Sequence, residues 1–91
     1  MRKYRIIEEK YENISHFYPQ YRDENVAYYV LGQDENGKDI KSDYQYFGSW
    51  NLNHKWKRYV FYDMSNARKF IELDIRNRKV EESKETIIHE Y

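Results

Sequence analysis

Trp56-Lys57-Arg58-Tyr59-Val60-Phe61-Tyr62 runs directly into Asp63-Met64-Ser65-Asn66-Ala67-Arg68-Lys69-Phe70-Ile71-Glu72-Leu73-Asp74-Ile75. Two periodicities meet at that join. The first seven residues are ring-rich and read as the best strand in the chain. Extended, they place Trp56, Arg58, Val60 and Tyr62 on one face and Lys57, Tyr59 and Phe61 on the other. Beyond the join, Ala67, Phe70, Ile71 and Ile75 recur three and four residues apart, with Asp74 on the same stripe and Leu73 widening it. Asp63 or Ser65 can cap this helix by accepting from its free N–H groups. Arg68/Glu72, Glu72/Arg76 and Asp74/Arg78 can pair on the exposed side, and Arg76, Arg78 and Lys79 suit the negative end of the helix dipole.

Upstream, Tyr4 to Glu8 alternates weakly and His16 to Arg22 follows a polar connection, Lys10 to Ser15, which predicts an antiparallel pair. Pro19 has no N–H to donate, which predicts an edge position or a kink there. Val26 to Leu31, after a turn at Asp23-Glu24-Asn25, is apolar on both faces and reads as a central strand. Asn36-Gly37 favours a type I′ turn at a hairpin tip leading into Tyr44 to Phe47. Gly48 to Lys55 reads as a loop containing Trp50. After an acidic linker, Glu81 to Glu85, Thr86 to Tyr91 reads as a closing strand. The expected fold is α+β over a single domain, residues 1–91: a mostly antiparallel twisted sheet of about five to six strands, order β-β-β-β-β-α-β, with one helix on one face.

Composition narrows the class. Lys plus Arg and Asp plus Glu number 16 each, so the net charge is zero, where a basic nucleic-acid binder shows an excess of Lys and Arg. Seventeen aromatic rings, eleven of them Tyr, exclude a disordered polar tail. The absence of Cys removes disulfides, thiolate nucleophiles and Cys-based zinc sites. No apolar run matches a signal peptide or a membrane span, which makes the cytoplasm the expected location. Charge is uneven: residues 55–79 hold eight bases and three acids, whereas residues 80–91 hold four acids and one Lys.

Tyr4-Arg5-Ile6 with Phe17-Tyr18-Pro19-Gln20, and Ala67, Phe70 and Ile71 with Ile88-His89-Glu90-Tyr91, make the chain resemble a loose group of small uncharacterised proteins of bacteriophages and mobile elements. Those proteins open on a "YRI…FYPQ" hairpin and close on a helix and an "IHEY"-like strand. The Tyr-rich insertion near residues 32–47 departs from the commoner pattern. The resemblance implies a phage or prophage origin and a role aimed at host proteins, and it brings no catalytic motif.

Catalytic chemistry finds little support. His16, His54 and His89 lack the spacing of a helical zinc motif, so no metal or other cofactor is expected. Ser15 beside His16 has no nucleophile elbow, and three scattered Gly cannot form a phosphate cradle. No enzyme is expected. Lys55, Lys57, Arg58, Tyr59 and Phe61 interleave charge with rings, as a single-stranded nucleic-acid binder would. That stretch resembles the aromatic strand of an RNA-recognition module, without its glycines or the helix between its first strands. The leading expectation is a non-catalytic protein-interaction module, because one helix cannot hide 17 rings and Tyr, Trp and Arg carry binding energy at interfaces. Its expected surface comprises Trp50, Trp56, Arg58 and Tyr62, with Tyr28, Tyr44 and Tyr46. The expected partner is a host or phage protein, or a second copy through the uncovered sheet face.

Overall fold

A computed structural model describes residues 1–90. Strand β1 (Lys3–Tyr11) and strand β2 (Ile14–Arg22) form a long antiparallel hairpin, paired without a break from Lys3 opposite Arg22 to Tyr11 opposite Ile14. Its turn is Glu12-Asn13, with Glu12 at φ 52°. After a two-stranded excursion, β3 (Tyr29–Gln33) with β4 (Asp39–Ser42), the chain returns as β5 (Gln45–Tyr46), which pairs with the other side of β2. A second excursion, β6 (Gly48–Trp50) with β7 (Trp56–Arg58), follows at once. Helix α1 (Met64–Glu82) is capped by Asp63, whose carboxylate accepts from the Ser65 N–H at 2.6 Å. The expected α+β class, antiparallel strands and single helix are all present.

Pro19 organises the centre. It lies in β2, the middle strand of the order β1-β2-β5, and is fully buried, so the expected edge position is wrong. Its missing N–H faces the β5 side. The Phe47 N–H donates to the Pro19 carbonyl at 3.4 Å, but the Phe47 carbonyl finds no donor in Pro19 and accepts from the Tyr59 N–H instead, at 2.8 Å. Two residues further along β2, Phe17 and Phe61 exchange N–H···O bonds of 2.7 and 2.8 Å. The border of β2 thus changes hands at Pro19, from β5 to residues 59–61. Here the proline marks a change of neighbour in place of a solvent-facing edge.

That exchange explains where expected elements break. Trp56 to Tyr62 is not one strand: it pairs with β6 only through Arg58, then leaves to meet Phe47 and Phe17. Residues 48–55 are strand and turn, not loop. The expected central strand at Val26 to Leu31 is shifted to β3 and sits in an outlying arm, because both borders of β2 are already taken; Val30 and Leu31 are exposed. Residues 84–90 form no strand, with Ile87 and Ile88 exposed, and Tyr91 of the expected closing strand lies outside the described residues.

Both arms turn in the same way. At the β3–β4 tip the Asp34 carboxylate accepts from the N–H groups of Asn36 and Lys38, both at 2.9 Å, and Gly37 takes φ 78°. At the β6–β7 tip the Asn51 side chain accepts from Asn53 and Lys55, at 2.9 and 3.0 Å, and His54 takes φ 58°. Asn36 is not left-handed, so the expected type I′ turn gives way to a turn closed between Asp34 and Gly37.

The helix packs on the face that carries Tyr4, Phe17, Pro19 and Tyr21. Ala67 is fully buried, and the Phe70 ring meets Phe47, Tyr59 and Phe61 at centroid distances of 5.0, 5.6 and 5.4 Å. Asp74 anchors the helix to the start of β1, accepting from the Tyr4 hydroxyl at 2.7 Å and from Arg2 at 3.3 Å. Of the three expected helix pairs, Asp74 with Arg78 forms, at 3.4 Å. The interior is small: Phe17, Tyr18, Pro19, Gln20 and Ala67 are its buried residues. The chain measures 61 × 35 × 30 Å with a radius of gyration of 16.9 Å, against about 12 Å for a compact chain of this length.

Candidate functional site

Strand alternation sends Arg5, Ile7, Glu9 and Tyr11 of β1 to the face away from the helix, beside His16, Tyr18 and Gln20 of β2. Tyr44, Tyr46, Arg58 and Tyr62 complete that face. Tyr11 and Tyr62 stay exposed, but the rings between them and the arms are covered. The Arg58 guanidinium lies 3.8 Å above the Tyr18 ring and 4.9 Å from that of Tyr46, and reaches Glu9 at 3.3 Å. Arg5 stacks on Tyr44 at 4.1 Å and donates through Nε to the buried Gln20 side chain. His16 sits among Tyr11, Tyr18 and Tyr62, the last edge-on at 5.0 Å. Planar cations thus cover Tyr18, Tyr44 and Tyr46 on the face that the helix leaves open.

Charge on this face is mutually supported. The Glu9 carboxyl is held below its usual range, first by the hydrogen bond from the Tyr11 hydroxyl and then by Arg58. Partial burial acts against the Arg58 charge, but Glu9 and the flanking Tyr18 and Tyr46 more than offset it and raise its pKa. The Ser15 hydroxyl donates to Glu8 at 2.7 Å, on the face of β2 opposite the His16 ring. Among the described residues no group of three or more His, Asp or Glu could hold a metal ion, and no helix is long and apolar enough to cross a membrane.

Trp50 and Trp56 lie elsewhere. They are opposite each other in the β6–β7 arm, 71% and 42% exposed. With Val30, Leu31, Gln33 and Asp39 of the other arm they line a cleft of about 480 Å³, with Gln45 between the arms. Asp39 is the charged residue of its lining. Gly48 sets the Trp56 ring: a Cβ there would strike Trp56 Cζ2, come within 2.7 Å of Trp56 Cε2 and within 2.5 Å of the Lys57 carbonyl oxygen.

The expected surface therefore divides. Arg58, Tyr44, Tyr46 and Tyr62 share the sheet face, Trp50 and Trp56 share the cleft, and Tyr28 stands apart at the base of the first arm, with Lys41 4.6 Å from its ring. The nucleic-acid set is also divided. Lys55 and Lys57 are exposed on the arm, Arg58 is engaged on tyrosines, and the Tyr59 and Phe61 rings pack on Phe70. Sequence reading missed Arg5, Glu9, Tyr18, Val30 and Leu31. The alternation of Arg5, Ile7, Glu9 and Tyr11 was the available signal for the first group; the pairing of two arms left no signal for the last two. No family model, no curated protein and no solved structure matches this chain.

Proposed function

We propose that this protein is a non-catalytic interaction module, of phage or mobile-element setting, that grips a segment of a host or phage protein between its two arms. The observation that carries this reading is the Trp50/Trp56 pair, held open in a cleft with Val30 and Leu31. Exposed tryptophans beside aliphatic side chains are costly in water and productive in a complex. The accessible surface supports it: 8070 Å², against about 5,800 Å² expected of a folded monomer of this mass. Asp39 in the lining favours an extended apolar segment with a basic residue at its flank.

Both tryptophans of the chain line the cleft, so intrinsic fluorescence reports on it directly. Titration with a captured partner should shift emission to the blue as Trp50 leaves water. The double variant Trp50→Ala/Trp56→Ala should lose capture while keeping the melting transition. Capture equal to the parent by that variant would overturn the proposal. A second reading takes support from Lys55 and Lys57 flanking Trp56 on the same exposed arm: single-stranded nucleic acid stacked on the tryptophans. It requires binding that weakens steeply with added salt.

A further inference from the structure

We propose that a second copy of this chain docks antiparallel on the free edge of β1, with the two-fold axis passing between the two Ile7 residues. β1 is nine residues long and forms the outer strand of its sheet. An edge of that length is an open template for pairing.

Alternation decides which of its groups are available. Phe17 and Pro19 spend their backbone groups on Phe61 and Phe47, so the alternate residues His16, Tyr18, Gln20 and Arg22 face β1. Their partners are Glu9, Ile7, Arg5 and Lys3. The N–H and C=O groups of Tyr4, Ile6, Glu8 and Lys10 therefore point outward. Pairing centred on Ile7 sets Tyr4 opposite Lys10 of the second copy, and Ile6 opposite its Glu8, as hydrogen-bonded pairs. The closer, non-bonded positions then set Arg5 opposite Glu9 of the second copy, Lys3 opposite its Tyr11, and Ile7 opposite its Ile7.

Charge selects this register. No like charges face each other, and Arg5 meets Glu9 twice by symmetry. A slip that centres the axis on Ile6 pairs Lys3 with Glu9 but offsets this by setting Arg2 opposite Lys10. A slip that centres it on Glu8 puts the two Glu8 carboxylates face to face, which is unfavourable. Glu9 keeps an accessible side, its side chain being 31% exposed beside Arg58. β1 lies across β2 from both arms, so the dimer leaves the two tryptophan clefts free and does not depend on what they hold. It would present them as a bivalent pair.

Sedimentation equilibrium tests the proposal. The parent should show twice 11.4 kDa. Glu8→Pro removes one outward N–H and obstructs the second copy, yet leaves the β1–β2 ladder whole; it should be monomeric with an unchanged circular dichroism spectrum. Arg5→Glu places like charges opposite at two symmetric positions and should raise the dimer Kd about tenfold. A parent that stays monomeric up to millimolar concentration overturns the proposal. So does a folded Glu8→Pro dimer, and an unchanged Kd for Arg5→Glu overturns the register.

Discussion

Removing Arg58 tests whether stacked guanidinium groups hold the uncovered face together. Arg58 lies 3.8 Å over Tyr18 and 4.9 Å from Tyr46, and its side chain is only 34% exposed. A partly desolvated cation over a ring contributes about 1 kcal/mol, and the more distant ring about half of that. Truncation also removes the aliphatic stem and uncovers Tyr18, a residue only 7% exposed, which adds about 1 kcal/mol. The ion pair with Glu9 adds little, being open to solvent and salt. Arg58→Ala should therefore cost about 2–3 kcal/mol, which for a domain of this size lowers the melting midpoint by about 10–20 °C. Arg58→Lys keeps the charge and most of the stem but loses the planar stack, and should fall between the two. Thermal unfolding followed by circular dichroism reads both. An Arg58→Ala midpoint within about 3 °C of the parent would refute the reasoning, and added salt should leave most of the loss in place.

His54 occupies the turn position that Gly37 fills in the other arm, at φ 58°, so His54→Gly should stabilise the protein by about 1 kcal/mol, seen as a higher urea midpoint. Gly48→Ala should displace the Trp56 ring and part the β6–β7 arm at the Lys57 carbonyl, costing about 1–3 kcal/mol; loss of the tryptophan near-ultraviolet dichroism reports it, and a retained signal contradicts the close approach. Burial and the hydrogen bond to Asp74 raise the Tyr4 pKa from 10.0 to about 12. The folded state holds that proton more tightly than the unfolded chain, so this contribution is intact below pH 10 and fades as pH rises towards 12. Tyr4→Phe should flatten that part of the alkaline stability profile, and an unchanged slope assigns it to other groups.

The helix and the first hairpin were legible because each depends on local pattern. Ala67, Phe70 and Ile71 state their period, and Tyr4 to Glu8 faces His16 to Arg22 across a short polar connection. The middle of the chain was not, because its pairing is decided at Pro19. A proline signals a missing donor, but not that Tyr59 will take the Phe47 carbonyl. Without that exchange, Trp56 to Tyr62 reads as one strand and Val26 to Leu31 as a central one. The second arm did leave a trace: Asn51 to Lys55 repeats the spacing of Asp34 to Lys38, with an Asx residue first and Lys fifth. His54 in the place of Gly37 obscured it. The candidate surface was legible in residue type and not in position. Tyr and Arg alternate along the strands, but which ring each Arg covers depends on strands far apart in sequence.

The extended shape of the chain has a consequence for how it travels in solution. A radius of gyration of 16.9 Å means that each molecule sweeps a volume well beyond that of a compact chain of its mass, which would have a radius of about 12 Å. Its friction with water rises accordingly. On a sizing column the monomer should elute early, in the position of a globular protein of larger mass. Elution volume alone would therefore mistake one chain for two.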